Sequence, residues 1–256
     1  MEEGYVALLD VLGFSALVGS DVTGVKIRRY LECLKRATGA QKVDYVAFSD
    51  SIVLSMNGDG PESLIAVAGA CSRLLADLLN EGIPVRGAIA FGEFIRDTFG
   101  ESAFVAGRAV IEAYKFEQHQ DWIGVMLAPS AVVRVPDLSE RCRMPGDGVA
   151  VTFKDVEARF PWPCFIQRCR NIPFHQSNPF EQEGFDGFSV VPTNGALEAT
   201  QVRDSIKASM DRLEWLRLTA PSPSAQRKYQ LTSNWLNIMH VRWHDLAFAK
   251  QQAAQV

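Results

Sequence analysis

The chain has 256 residues, of which 47% are hydrophobic, so it is long enough for one large domain or for a core domain with an extension. Its formal net charge of −4 disfavours nonspecific binding to nucleic acid or to acidic membranes, and its five cysteines, without a CxxC pair, predict reduced thiols and no zinc site. The acidic amino terminus and the lack of a long apolar run predict a cytoplasmic protein with no signal peptide and no membrane span.

Strand-like and helix-like patterns alternate over the first part of the chain. The predicted elements are a buried strand over 5–10, a helix over 21–36, strands over 43–49 and 51–56, an apolar helix over 62–80 and a strand over 84–91. The order strand, helix, strand, strand, helix, strand is that of the ferredoxin-like fold. It predicts an α+β core in which the first and third strands are neighbours.

The remaining chain is less regular. Predicted elements are a helix over 107–118, a strand over 122–127, a short helix over 129–133, short strands near 149–153, 163–168 and 187–191, and closing helices over 195–218 and 222–250. From about residue 135 to residue 193 the composition becomes rich in Pro, Gly and aromatic residues. We therefore predict a core over 1–134 and an extension over 135–256 that packs on the core and ends in helices.

Two aspartates lie where buried strands are predicted to end. Asp10 ends the run YVALLD, and Asp50 lies in VAFSDSIVLS between two apolar runs. A buried carboxylate is costly unless it is paired or binds a cation. Two carboxylates on neighbouring strands form a hard-oxygen site that suits Mg²⁺ or Mn²⁺, although each residue alone is equally compatible with an ordinary turn aspartate.

The motif DVLGFS is followed by SDS between two strands, then by PVRGAIAFG and by GRAVIEAYKFE. In this order and spacing, the motifs resemble the class III nucleotide cyclases over roughly residues 4–130. In size and in its long extension, the chain is most similar to the pyrimidine cyclases of the bacterial Pycsar antiphage system, which produce cyclic UMP or cyclic CMP. The resemblance implies that the ribose 3′ oxygen of a nucleoside triphosphate attacks its own α-phosphorus and that pyrophosphate leaves.

The resemblance also implies a set of site residues. Asp10 and Asp50 would bind two divalent cations, Mn²⁺ or Mg²⁺, with the main-chain carbonyl of Val11 as a further ligand. A glycine in the turn after Asp10 would let the backbone approach the phosphates, or would simply suit a tight strand-to-helix turn. Substrate-binding candidates in these segments are Gly13, Phe14, Ser15, Ser49 and Arg86. Arg86 lies on the strand beside the two aspartates, where a buried arginine would bind a phosphate or pair with an aspartate.

The family's purine-reading residues are replaced in this chain. The lysine four residues before the second aspartate is Val46 here, and the acid three residues before the glycine that opens the later helix is Phe104. Neither side chain can hydrogen-bond a base edge, whereas the neighbouring Tyr45 offers a ring face or a hydroxyl. This pattern favours a smaller base and hence a uridylate cyclase, although Tyr45 and Phe104 equally suit packing in the core.

The later helix supplies the remaining candidates. In the family, an asparagine and an arginine four residues further on face the partner subunit's site, and the matching residues here are Ile111 and Lys115. Lysine keeps the positive charge without the bidentate fork, so Lys115, with Arg108 nearby, is the candidate for stabilising the transition state. Both residues would equally suit a solvated surface. The expected assembly is a homodimer with shared sites, whose product acts on a separate cyclic-nucleotide-responsive effector.

The sequence is also compatible with two other classes of function. One is an enzyme that makes cyclic CMP, or a divergent adenylate cyclase. The other is a catalytically silent cyclase-like module that binds a nucleotide or a partner protein. The two aspartates disfavour the silent module, and the replaced family residues favour it.

Overall fold

The computed structural model describes residues 1–99, 102–145, 151–169 and 187–253. These residues form one mixed β-sheet with helices packed on it, which confirms the predicted α+β class. The elements in chain order are β1 (Glu2–Val11), α1 (Phe14–Ser20), α2 (Val25–Gln41), β2 (Asp44–Phe48), β3 (Ser51–Asn57), α3 (Pro61–Asn80), β4 (Val85–Phe99), β5 (Ser102–Gly107), α4 (Arg108–Gln118), β6 (Gly124–Leu127), α5 (Pro129–Val133), α6 (Leu138–Arg141), α7 (Phe153–Glu157), α8 (Trp162–Phe165), β7 (Ile166–Arg168), β8 (Phe188–Val190), α9 (Ala199–Leu218) and α10 (Pro223–Ala253).

Strand β1 lies inside the sheet, antiparallel to β3 on one side and to β4 on the other. The order β2-β3-β1-β4 is the ferredoxin-like arrangement that the sequence predicts. Beyond β4 the sheet continues through β6 and β8 to β7, and β5 forms a hairpin with β4. Strands β7 and β8 belong to the predicted extension, so the extension adds strands to the sheet of the core. The division at residue 134 stays a prediction.

The two faces of β1 pack against different partners. Tyr5 and Leu9, which point to one face, join the main core together with residues of α2 and α3. Val6 points to the other face and packs with Phe94 of β4 and Ala109 of α4. Because side chains alternate along a strand, Asp10 lies on the same face as Val6. The side of the sheet that carries Asp10 is therefore the side that α4 packs on.

The predicted α2 and β4 differ from the structure near their ends, and α1 and β5 were not predicted. The helix predicted over 21–36 begins only at Val25, because Gly24 adopts a left-handed conformation with φ of 67° at its N-cap. The shorter helix α1 precedes it. Strand β4 extends well past residue 91 and pairs with β5, a strand that was not predicted because its residues run directly into the following helix.

The predicted strands in the extension are only partly correct. The strand near 149–153 is wrong in its described part, because Thr152 and Asp155 form a capping box that starts α7 at Phe153. Residues 149 and 150 lie outside the described residues. The strand predicted over 163–168 begins as α8 and becomes extended only at Ile166.

Helices α9 and α10 pack against each other, and α9 also packs on α3 of the core. We refer to these two helices as the C-terminal hairpin. Each of the five cysteines is buried and free of disulfides. In the described ranges, none of the helices combines the length and the apolar character needed to cross a membrane.

Candidate functional site

Asp10 and Asp50 are brought together at one end of β1 and β3. The strand register places Asp10 opposite Ser51, the first residue of β3, and the Val11 N–H donates to the Asp50 carbonyl at 2.8 Å. Burial raises the pKa of Asp10, the Arg86 guanidinium opposes this shift, and the negative charge of Asp50 raises the pKa further. Two carboxylates in this position repel each other, so a cation between them would be strongly stabilised.

The donor set at this point is composed of hard oxygens. In the described part of the chain, no cluster of three or more His, Cys, Asp or Glu side chains is arranged to hold a metal ion. A cation at Asp10 and Asp50 would therefore complete its shell with main-chain, water or phosphate oxygens, which is the usual arrangement for Mg²⁺ in nucleotide sites. The residues present fit Mg²⁺ or Mn²⁺ rather than a soft metal.

The turns beside the two aspartates have left-handed residues. Ser49 has φ of 56° and lies exposed in the turn between β2 and β3, next to Asp50. Gly13 has φ of 76°, and apart from its own chain neighbours no heavy atom lies within 4 Å of the position that a Cβ would take. Ser15 is exposed, whereas the ring of Phe14 packs edge-on against Tyr30 with centroids 6.0 Å apart. Gly13 and Ser15 are thus open to a ligand, and Phe14 fixes the turn.

Arg86 lies opposite Asp10 on β4, so the two side chains share one face of the sheet. Its Nη2 is 3.7 Å from Asp10 Oδ2, and its Nη1 donates to the Gln120 carbonyl at 2.9 Å. Its Nε lies 2.5 Å from Glu117 Oε1, an ion pair whose atoms are not aligned for a hydrogen bond. Arg86 therefore connects Asp10 to a carboxylate on α4.

Glu117 is a residue of this site that the sequence reasoning missed. It is fully buried, and burial raises its pKa while the Arg86 charge lowers it. A signal for its position was present in the sequence. Ala109 and Ala113 form the buried stripe of α4, and Glu117 is the next residue in that i, i+4, i+8 series. A carboxylate in such a stripe needs a buried cation as its partner.

The other candidates on α4 point elsewhere. Lys115 is two positions before Glu117, hence on the opposite side of the helix, and it is exposed. Ile111 and Arg108 are exposed as well. Within one chain, α4 directs Glu117 rather than Lys115 towards Arg86.

Two of the residues assigned to the base, Tyr45 and Val46, line one cavity. A cavity of about 340 Å³ is lined by Asp44, Tyr45, Val46, Arg96, Asp97 and Ala103, from β2 and the β4–β5 hairpin. Tyr45 is 40% exposed, and Phe104 on β5 is 51% exposed, so neither side chain packs in the core of the chain. Arg96 forms an ion pair with Asp44 at this cavity. The sequence reasoning did not single out Arg96.

The chain matches no protein-family model and no curated protein. Several solved structures are similar to it. The adenylyl cyclase CyaB from P. aeruginosa is 13% identical, with a TM-score of 0.48 over 74% of this chain and 94% of that chain. Adenylate cyclases from Trypanosoma brucei are 11% identical, with a TM-score of 0.47 over 76% and 91%. The guanylate cyclase domain of RhGC from Catenaria anguillulae is 11% identical, with a TM-score of 0.44 over 74% and 96%. Similarities this distant carry no inference about activity or substrate.

Proposed function

We propose that this protein is a nucleotide cyclase, a phosphorus–oxygen lyase that converts UTP into 3′,5′-cyclic UMP and pyrophosphate. The observation that carries the proposal is the pair Asp10 and Asp50, side by side at the strand ends with Arg86 beside them. The motif resemblance supplies the reaction. By the same resemblance, the cyclic nucleotide would serve antiphage defence as a messenger for a separate effector protein.

The proposed roles follow from the positions of the side chains. Asp10, Asp50 and the Val11 carbonyl would hold two divalent cations, which when bound would acidify the 3′ hydroxyl and neutralise the triphosphate. Arg86 keeps the Asp10 carboxylate in place, and the buried Glu117 holds Arg86. A site whose charged groups are fixed before the substrate arrives costs little reorganisation in the transition state.

Exposed apolar residues support a dimer. Tyr45, Phe48, Ile95, Phe104, Ile111 and Tyr114 are all exposed on β2, β4, β5 and α4, elements that contact one another. A monomer rarely leaves a large apolar cluster in contact with water. We infer that the elements that carry these residues form the twofold interface, which would bring Lys115 and Arg108 of each subunit to the aspartates of its partner.

The shared site predicts complementation between two inactive variants. Asp50→Ala removes a metal ligand and Lys115→Ala removes the charge supplied to the partner's site, so each homodimer is expected to be inactive. An equimolar mixture should recover about one quarter of the wild-type rate, because half of the dimers are mixed and each has one intact site. Product formation is measured after subunit exchange has been confirmed by native mass spectrometry. A fully exchanged mixture that stays inactive would show that the sites are not shared.

The cavity at β2 would hold the base. Tyr45 offers a ring face for stacking, and Val46 lacks the donor that a purine needs. Arg96 has five N–H donors and no acceptor. Its donors match the O4 acceptor of uracil but not the N4 amino group of cytosine, which is itself a donor. The pairing of Arg96 with Asp44 leaves the other donors of the guanidinium for the base.

Nucleotide selectivity tests the proposed function directly. With Mn²⁺ and equal amounts of the four NTPs, we expect UTP to be consumed ahead of ATP and GTP, with CTP the nearest competitor, as measured by mass spectrometry of the cyclic products. Tyr45→Ala should reduce this selectivity with little change in melting temperature, because the side chain is 40% exposed. Tyr45→Phe keeps the ring and removes the hydroxyl, so its selectivity shows which of the two groups contacts the base.

Three other results of the nucleotide-selectivity experiment would each contradict part of the proposed function. A wild-type preference for ATP would contradict the pyrimidine assignment. A Tyr45→Ala variant that melts early but keeps its selectivity would give Tyr45 a structural role. If the folded protein binds NTPs but forms no cyclic product from any of them, it is a nucleotide-binding module and not an enzyme.

A further inference from the structure

A cavity of about 220 Å³ lies between the turn after β1 and the start of α10. Leu12, Gly13 and Ile123 form its wall on the core side, and Ser222, just before α10, and Lys228 of α10 are among the residues that line the other side. The cavity adjoins the candidate metal site, because Leu12 and Gly13 follow Asp10 by only two and three positions. The C-terminal hairpin thus reaches the site although it is far away in sequence.

The position of α10 at this cavity is fixed by a buried anchor. Thr232 Oγ1 accepts a hydrogen bond from the Ile123 N–H at 2.9 Å and lies 3.0 Å from the Ile123 carbonyl oxygen. Trp235 packs edge-on against Trp122, with ring centroids 5.2 Å apart. Lys228, Thr232 and Trp235 are spaced i, i+4, i+7 and share one face of α10. The anchor therefore holds the Lys228 side of the helix towards the core.

The same short segment of the core also holds Arg86. The Gln120 carbonyl accepts from Arg86 Nη1 at 2.9 Å, and Gln120 Oε1 accepts from Trp122 Nε1 at 3.1 Å. Residues 120–123 thus bind the arginine beside Asp10 on one side and α10 on the other. Lys228 is positioned relative to Asp10 through a continuous chain of buried contacts.

Lys228 differs from two other cations of α10, Arg227 and Lys250. It is half-buried, and within the described residues its ammonium group forms neither a hydrogen bond nor an ion pair. The adjacent Arg227 lies 3.5 Å from Asp121, and Lys250 pairs with Glu198 at 2.8 Å. A partly buried ammonium that faces a cavity without a bonded partner suits an anionic ligand.

We propose that Lys228 is a positioning residue for the triphosphate, supplied in cis by the C-terminal hairpin to the cavity beside Gly13. The choice of a nucleoside triphosphate as the ligand rests on the proposed function, whereas binding of a polyphosphate does not. The ammonium group would bind phosphate oxygens on the side of the site opposite Asp50. In this arrangement the C-terminal hairpin completes the substrate site.

Tripolyphosphate binding tests the proposal without turnover. Isothermal titration calorimetry of the full-length chain in EDTA, which removes divalent cations, reports on the protein's own cationic groups. Lys228→Met keeps most of the apolar stem of the side chain and removes its charge. We expect this variant to bind tripolyphosphate about tenfold or more weakly, because it loses one charge-assisted hydrogen bond. Lys228→Arg should restore most of the affinity. Arg227→Met, which removes the charge of the preceding residue, is the matched control and should bind tripolyphosphate as tightly as wild type.

Turnover gives a second readout. With UTP and Mn²⁺, Lys228→Met should raise KM more than it lowers kcat, because the contact is made to the bound substrate as well as to the transition state. Wild-type protein that fails to bind tripolyphosphate, or Lys228→Met protein that binds it as tightly as wild type, would overturn the proposal. If Lys228→Met melts at a lower temperature but keeps its affinity for tripolyphosphate, the lysine has a structural role and the proposal is likewise overturned. Wild-type protein that binds tripolyphosphate but forms no cyclic nucleotide would refute the proposed function alone.

Discussion

Asp10→Ala and Asp50→Ala are each expected to lower product formation by on the order of 10³-fold or more, because each variant would lose a carboxylate ligand of the cations that we propose for the reaction. Neither variant should lose much stability without metal. Burial and the Asp50 charge already disfavour the ionised form of Asp10, so its removal relieves an unfavourable charge in the folded protein. Cyclic product is quantified by mass spectrometry at saturating Mn²⁺.

Metal binding can be followed separately from activity. A ligand that binds only the folded state stabilises it by about 2.7 kcal/mol at a hundredfold excess over Kd. Wild-type protein should therefore melt at a higher temperature in Mn²⁺ than in EDTA, and both variants should lose this shift. Asp211→Ala, which removes an exposed carboxylate paired with Lys207 on α9, is the control and should keep it. A folded Asp50→Ala variant with a normal Mn²⁺ shift and near-normal activity would disprove the metal assignment.

Arg86→Met is expected to destabilise the folded protein by about 3–5 kcal/mol, which is the usual cost of leaving a buried charge without its partner. Arg86 is 8% exposed and Glu117 is 0% exposed, so water cannot replace the lost guanidinium. The free energy of unfolding is measured by urea denaturation. Arg29→Met removes one partner of the Arg29–Glu81 ion pair, which is largely exposed, and should cost about 1 kcal/mol or less.

The cost of Arg86→Met should depend on pH in a defined direction. Burial raises the pKa of Glu117, and Arg86 is the largest influence that lowers it. Without Arg86 the folded-state pKa is higher still, so stability falls as the pH rises from the ordinary glutamate value of about 4.3 through the raised folded value. We expect a larger loss at pH 8 than at pH 5, and Glu117→Gln in the Arg86→Met background should flatten the difference. An equal loss at both pH values would argue against an uncompensated Glu117.

The sequence was sufficient to place the two aspartates because local patterns define β1, β3 and the turn between β2 and β3. Once the strand order is ferredoxin-like, the pairing of β1 with β3 follows, and Asp10 and Asp50 lie at the same end of it. Arg86 was placed correctly for the same reason, because β4 is the other neighbour of β1.

What the sequence did not predict depends on contacts between distant segments. Glu117 was missed because its partner, Arg86, lies on another element, although the periodicity of α4 already indicated a buried position. The hydrogen bond between Ile123 and Thr232 joins residues 109 positions apart. No local pattern in either segment shows this contact. The exposed position of Tyr45 and Phe104 also required the structure, because a strand pattern does not distinguish a core face from a face left for a partner.

The contact between Ile123 and Thr232 has a consequence for the order of events during synthesis. A ribosome releases the amino-terminal part of a chain first, and domains fold as they emerge. The strands that carry Asp10 and Asp50 are therefore made long before α10, which supplies Lys228. If Asp10 and Asp50 bind metal and Lys228 binds the triphosphate as proposed, a nascent chain would have its metal ligands but only part of its substrate site. Full affinity for the triphosphate would then be reached only after translation has passed α10, and a product truncated before α10 would bind the triphosphate more weakly.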